Sequence, residues 1–300
     1  MGVIGLSGAK PCWLRNRQQG DAAGGFVLEN EQMCILNQDD RGPGEWIGRR
    51  RLHPKSIDSA PPLITLAARH PRWLFDALFR CASATLLELA ANPRWLGATP
   101  VFSLVLHTWT QDLRMHLHVH ALVACGGLDD EGRWHTPGRG KGFLFPVQVA
   151  SRVFRAKFLD ALDQARCGGR IPGDPQAEPL AWQARRRALR AHDRVVYAKP
   201  PQGGPAQVLD YLARYTHRVA ISNERILGCN HDQVRIRARD KRTGGKRTVT
   251  LPTAEFIRRF LHHVLPPGFK RIRHYGLLAA NHKRAHLAAA RAALKMPEPS

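Results

Sequence analysis

The stretch "DLRMHLHVHALVACGG", residues 112–127, decides how the chain is read. Within it, "HLHVH" (116–120) sets three histidines at alternate positions with one aliphatic residue between each pair. Past Arg114 no charged residue follows until Asp129, which suits a largely buried strand. In an extended chain alternate residues share a face about 6–7 Å apart. His116, His118 and His120 then line one side, while Leu117, Val119 and Ala121 pack on the other. Imidazoles buried side by side are costly without a partner, and a metal ion is the commonest one. A lone histidine here would read as a solvated strand edge. Three in strict alternation read as a metal site.

Working outward, "TPVFSLVLHTW" (99–109) is a second strand, antiparallel to the histidine strand and joined to it through "TQDLRM" (110–115). Ahead of it, "PRWLFDALFRCASATLLELAANP" (71–93) repeats Leu74, Leu78, Ala82, Leu86 and Leu89 at helical spacing behind an opening proline, which predicts a helix. "PVQVASRVFRAKFLDALDQAR" (146–166) predicts another from about Ser151, with Ser151 as its N-cap. "RCGGRIPGDPQAEP" (166–179) is a loop, "WQARRRALRAHD" (182–193) a basic helix and "RVVYAKPP" (194–201) a short strand. "AQVLDYLARYTHR" (206–218) is a further helix. "QVRIRARDKRTGGKRTVTLP" (233–252) alternates Val/Ile with Arg around a Thr-Gly-Gly turn, the pattern of a basic hairpin. "TAEFIRRFLHHVLP" (253–266) follows as a helix capped by Thr253. Hairpins intermixed with helices, rather than regular βαβ units, predict an α+β fold with an antiparallel sheet.

The 300 residues carry 46 Lys+Arg against 24 Asp+Glu, a formal charge of +22. Residues 1–60 hold 8 basic and 7 acidic residues, so nearly all the excess lies beyond them. A single-sign field of this size favours polyanions, nucleic acid first. Residues 1–60 mix Gly, Gln, Asn and short charge runs without periodicity and predict a poorly ordered N-terminal segment ahead of one domain spanning 61–300. No apolar run reaches the roughly 18–20 residues that a membrane span needs. The six cysteines are scattered without paired metal spacing, so a reducing cytoplasm is the expected compartment.

Of four tyrosines in the chain, Tyr211 and Tyr215 stand four apart in "DYLARYTHR". On a helix such a pair shares a face. Arg214, His217 and Arg218 beside them would hold a phosphate next to the phenols. A phenol is a poor nucleophile at neutral pH, but it can attack a phosphodiester whose phosphorus a bound cation has made more electrophilic. The product is a phosphotyrosine ester.

At this point the chain resembles the two-tyrosine HUH transposases of rolling-circle insertion sequences. HUH denotes His-hydrophobic-His, here His118-Val119-His120. The likeness runs from about residue 66 to 284 through "LLELAANPRWLGA", "LHTWTQDLRMHLHVHALVACGGL", "FLFPVQVASRVFRAKFLDAL", "VVYAKPPQGGPAQVLDYLARYTHRVAISNERI" and "EFIRRFLHHVLPPGFKRIRHYGLLA". The resemblance implies an antiparallel sheet flanked by helices, His118 and His120 as metal ligands, Tyr211 and Tyr215 as nucleophiles, Mg²⁺ or Mn²⁺ as the cation and single-stranded transposon ends as the DNA partner. His116 is the expected third ligand and His217 the second choice. The family also carries a cysteine-rich zinc-binding domain and an apolar strand ahead of the first helix. Neither is read in residues 1–60.

Three function classes follow. The first is a strand transferase for single-stranded DNA. The second is a remnant that binds DNA without cutting it. The third is a three-histidine zinc hydrolase, which the tyrosines and the charge disfavour. In either of the first two, phosphate contacts are expected from the hairpin residues Arg235, Arg237, Arg239, Lys241, Arg242, Lys246 and Arg247.

Overall fold

In the computed structural model the described residues are 33–37, 61–136, 144–174, 178–190, 197–199, 220–239 and 245–295. Among them six α-helices accompany two antiparallel sheets, the α+β class the pattern predicts. The main sheet is ordered β5-β1-β3-β2-β9: Tyr197–Lys199, Met33–Asn37, Met115–Leu128, Thr99–Trp109 and Ile272–Gly276. The two-residue β4, Trp134–His135, pairs with the end of β3. A second sheet joins Ile226–Cys229 (β6), Gln233–Arg239 (β7) and Lys246–Pro252 (β8).

β1 corrects the reading of residues 1–60, where no strand was expected. "MCILN" pairs antiparallel with β3 (Met33↔Ala124 to Leu36↔Ala121) and with β5. A strand flanked on both sides shows a short apolar run rather than alternation, and five residues leave too little pattern to recognise. The remaining residues up to 60 lie outside those described.

One face of the main sheet is covered by helices. Phe102, Leu104 and Leu106 of β2 stand opposite Val123, Ala121 and Val119 of β3. They share one apolar cluster with Leu74, Phe75, Leu78, Phe79, Leu86 and Leu89 of helix Pro71–Ala91 (α2; α1 is Pro61–Arg69) and with Phe158 and Leu162 of Val147–Cys167 (α3). Each such side chain, fully buried, contributes roughly 1.5–3 kcal/mol. α2 is capped at its C-terminus by Asn92, whose extended backbone (φ −74°, ψ 121°) is what the following Pro93 requires.

Two predicted caps move. α3 starts at Val147, with Pro146 as its N-cap, so Ser151 is a buried residue of the second turn. Proline lacks an N–H and fixes φ near the helical value, so it marks the boundary without a polar cap. Likewise Pro252 precedes helix Thr253–Leu261 (numbered α5, after α4 at Pro179–Arg190), and the Thr253 hydroxyl donates instead to the Asn230 carbonyl at 3.3 Å.

The opposite face of β2 and β3 carries the histidines. It is bounded at one end by a small cluster of Val101, Ala124, Leu128 and Leu277 under Ala290 of the last helix, Lys283–Ala293 (α6). At the other end stands the core of the second sheet: Leu113, Ala220, Ile221, Val234, Ile236 and Leu251, flanked by Trp109, Phe256 and Phe260. The β2–β3 turn therefore inserts into the second sheet's core, and the histidine face lies between two anchored ends.

Candidate metal centre

His116, His118 and His120 alternate along one face of β3 and are buried. The group that can share an ion, however, is His107, His118 and His120, each offering one nitrogen, with those atoms all within 4.8 Å of one another. His107 lies on β2 directly across from His118. The expected third donor, His116, keeps a ring contact with His118 (centroids 4.7 Å apart) but stands outside this group.

The physical reason is a register slip. Near the turn Trp109 pairs with Met115, while one step further His107 pairs with His118. Two residues of β3, His116 and Leu117, thus oppose the single Thr108 of β2, which is a β-bulge. Carried straight on from Trp109↔Met115, the ladder would set His107 opposite Leu117, on the helix-covered side. The one-residue slip flips it to the histidine face.

The hydrogen bonds orient the rings. His118 Nδ1–H donates to the His116 carbonyl at 3.0 Å, which leaves Nε2 with the lone pair. An outer hydrogen bond of this kind fixes tautomer and ring direction in metal sites. His120 Nε2 and His107 Nδ1 stand 3.1 Å apart. Two nitrogens bound to one ion at about 2.0–2.1 Å would be separated by roughly 3.0–3.4 Å. Spacing, burial and donor type therefore fit a divalent ion. Three imidazoles suit Zn²⁺ and the other borderline metals better than Mg²⁺, which prefers oxygen. The His107 ring also stacks on Trp109 (4.8 Å, 15°), and the Arg271 guanidinium lies 5.1 Å from the Trp109 ring centre. Arg271 thus brings a cation within one ring of the histidines, a residue the sequence reading passed over.

The basic hairpin forms as predicted, from Arg239↔Lys246 at its turn end to Gln233↔Pro252 at its open end. Val234, Ile236 and Ala238 point into the core, and Arg235, Arg237 and Arg239 point to solvent. Lys246 pairs across from Arg239 on the same outer face. Arg247 does not join them. It lies opposite the inward Ala238 and sits 3.5 Å from the Asp112 carboxylate. Lys241 and Arg242 lie outside the described residues, as do Tyr211, Tyr215, Arg214, His217 and Arg218.

An imidazole cluster on an antiparallel sheet, beside a basic ribbon, is the outline of a metal-using protein that acts on nucleic acid. The comparisons give that outline a family. Residues 102–286, more than half of the chain and including all three grouped histidines, match the family described as "Putative transposase". The chain belongs to this transposase family. It is 44% identical over 243 residues to "Putative transposase y4qJ" of Sinorhizobium fredii, an alignment covering 79% of this chain and 61% of that protein. It is 31% identical over 233 residues to the "Transposase for insertion sequence element IS801" of Pseudomonas savastanoi pv. phaseolicola, covering 76% and 54%. The chain thus spans between half and two thirds of the length of these relatives. No solved structure matches it. Among the described residues no helix is long and apolar enough to cross a membrane.

Proposed function

We propose that the chain cuts and rejoins single-stranded DNA at insertion-sequence ends by HUH-type chemistry, with a 5′-phosphotyrosine intermediate. The observation that carries this reading is the buried His107-His118-His120 group within a chain of a transposase family. These three side chains would hold one divalent ion, Mn²⁺ in preference to Mg²⁺ on donor chemistry. Bound there, it would supply Lewis-acid stabilisation of charge on a non-bridging phosphate oxygen.

The chain's own residues do the rest. The outer arginines of β7 and Lys246 of β8 hold phosphates, and Arg271 adds charge beside the site. The phenol oxygen of Tyr211 or Tyr215 bonds to phosphorus while the P–O3′ bond breaks. The phenol proton passes to water and the departing 3′ oxygen takes one up. Rejoining is the reverse attack by a 3′ hydroxyl, so no external energy source is required. Two tyrosines permit two transfers in succession, Tyr211 making the first cut and Tyr215 serving the later step. The site of action is the bacterial cytoplasm, where the DNA is.

A three-histidine set is also the ligand set of zinc hydrolases. The basic ribbon and the family weigh for DNA instead. The test mixes the protein, Mn²⁺ and a labelled single-stranded end, then runs a denaturing gel. Under this reading a species resistant to SDS forms, is lost in Tyr211→Phe, and persists in Tyr215→Phe without strand joining. DNA bound on native gels with no covalent species would instead identify a binding remnant.

A further inference from the structure

The bulge that turns His107 toward His118 and His120 must itself be held, because regular ladder bonds are interrupted where it occurs. What holds it comes from the other sheet's module. The β2–β3 turn closes on itself: Thr110 N–H donates to the Arg114 carbonyl and Leu113 N–H to the Thr110 carbonyl, both at 3.0 Å. Leu113 takes a left-handed backbone (φ 61°), uncommon for a leucine, and is completely buried in the second core. Three consecutive carbonyls of the turn are then each taken by a different side chain. Arg225 donates to Gln111, Arg259 to Asp112 (3.0 Å), and His263 Nε2–H to Leu113 (3.0 Å).

His263 does a second thing. With Nε2 carrying the proton, its Nδ1 accepts from the hydroxyl of Thr108 at 3.1 Å. Thr108 is the one residue of β2 that opposes the two-residue bulge of β3. The same imidazole stands 6.1 Å, edge to face, from Trp109, on which His107 stacks. Both residues that follow His107 are therefore tied to His263, and His263 is tied to the far arm of the hairpin through Leu113.

We propose that Thr108 and His263, with Arg225 and Arg259 seating the turn, are positioning residues for the metal centre: they hold the slipped register in which His107 faces His118 and His120. This rests on the reading of those three histidines as ligands. Its consequence is that the basic module does more than grip DNA, since its packing on the turn sets the geometry of the ion site about three residues away.

The test measures Mn²⁺ and Co²⁺ affinity by calorimetry, and the visible absorption of bound Co²⁺, in the full chain and its variants. Thr108→Val keeps the shape and removes the hydroxyl. Affinity should fall about 10- to 100-fold, the usual effect of losing an outer-shell partner, with an altered Co²⁺ spectrum. Thr108→Ser, which keeps the donor, should bind within a few-fold of the parent. DNA affinity in EDTA should be unchanged in both. If Thr108→Val does not fold, Arg225→Ala, at a half-buried side chain outside both cores, takes its place and should weaken metal binding several-fold. Parental affinity and spectrum in whichever of the two variants folds would overturn the inference alone. A parent chain that binds neither ion, or binds them equally after His118→Ala, removes the metal centre and the inference with it.

Discussion

His263 shows how one buried imidazole couples packing to pH. Burial pushes its pKa down from 6.5 to about 4, since the charged form would lose its water. Between those values the unfolded chain binds a proton that the folded one refuses, so stability rises with pH from about 4 to 6.5 and is level above. The full shift corresponds to at most about 3 kcal/mol. Melting temperature followed across that window should climb more steeply in the parent than in His263→Gln. Equal slopes would show that His263 stays accessible to protons in the folded protein.

A second residue-scale prediction separates His107 from His116. His107→Ala should weaken Mn²⁺ binding at least as much as His118→Ala, whereas His116→Ala should change it only a few-fold, calorimetry being the check. The alternation in "HLHVH" pointed to His116 because sequence spacing reports which residues of one strand share a face. It cannot report a neighbour's register. "LHTW" did offer a histidine in a buried strand, but only the slip at Thr108 turns it to the correct side.

At the scale of elements, β2, β3 and the β7–β8 hairpin were legible because each announces itself locally, by apolar runs, alternation and a Gly-Gly turn. β9 was not: "IRHYG" is five residues long and exists by pairing with β2 some 170 positions earlier. Sequence distance also hid the ion pair of Arg247, whose partner Asp112 stands in the β2–β3 turn 135 positions earlier. The outer face presents four described cations, Arg235, Arg237, Arg239 and Lys246. If all four meet phosphates of a single strand, they contribute about −2.8 to the log–log slope of affinity against salt, at roughly −0.7 per contact. Arg237→Ala should make the slope shallower by about one contact. Arg247→Ala should leave it nearly as it was, while lowering stability slightly. A slope that responds equally to both variants would mean that Arg247 leaves Asp112 to meet the DNA.

At the scale of the molecule, the sheet depends on a strand far from its neighbours in sequence. β1 is enclosed between β3 and β5, so a proline there deletes a ladder bond in a paired position. Ile35→Pro should destabilise the fold by several kcal/mol, by the order of about 3 kcal/mol that a misplaced proline costs elsewhere, read as a lowered urea midpoint. An unchanged midpoint would mean that the main sheet stands without β1. The wider arrangement has the same logic: helices cover one face, the basic module anchors the hairpin end, and the histidines occupy what lies between.

In the proposed function the grouped histidines are what turns DNA binding into phosphodiester cleavage. The most direct measurement is the yield of covalent protein–DNA adduct on a labelled single-stranded insertion-sequence end in Mn²⁺, parent against His118→Ala/His120→Ala, with native-gel binding measured on the same samples. Adduct is expected from the parent, at least about 100-fold less from the double variant given what a bound cation supplies, and nearly equal DNA binding from both. Adduct at the parental yield from the double variant would contradict that reading.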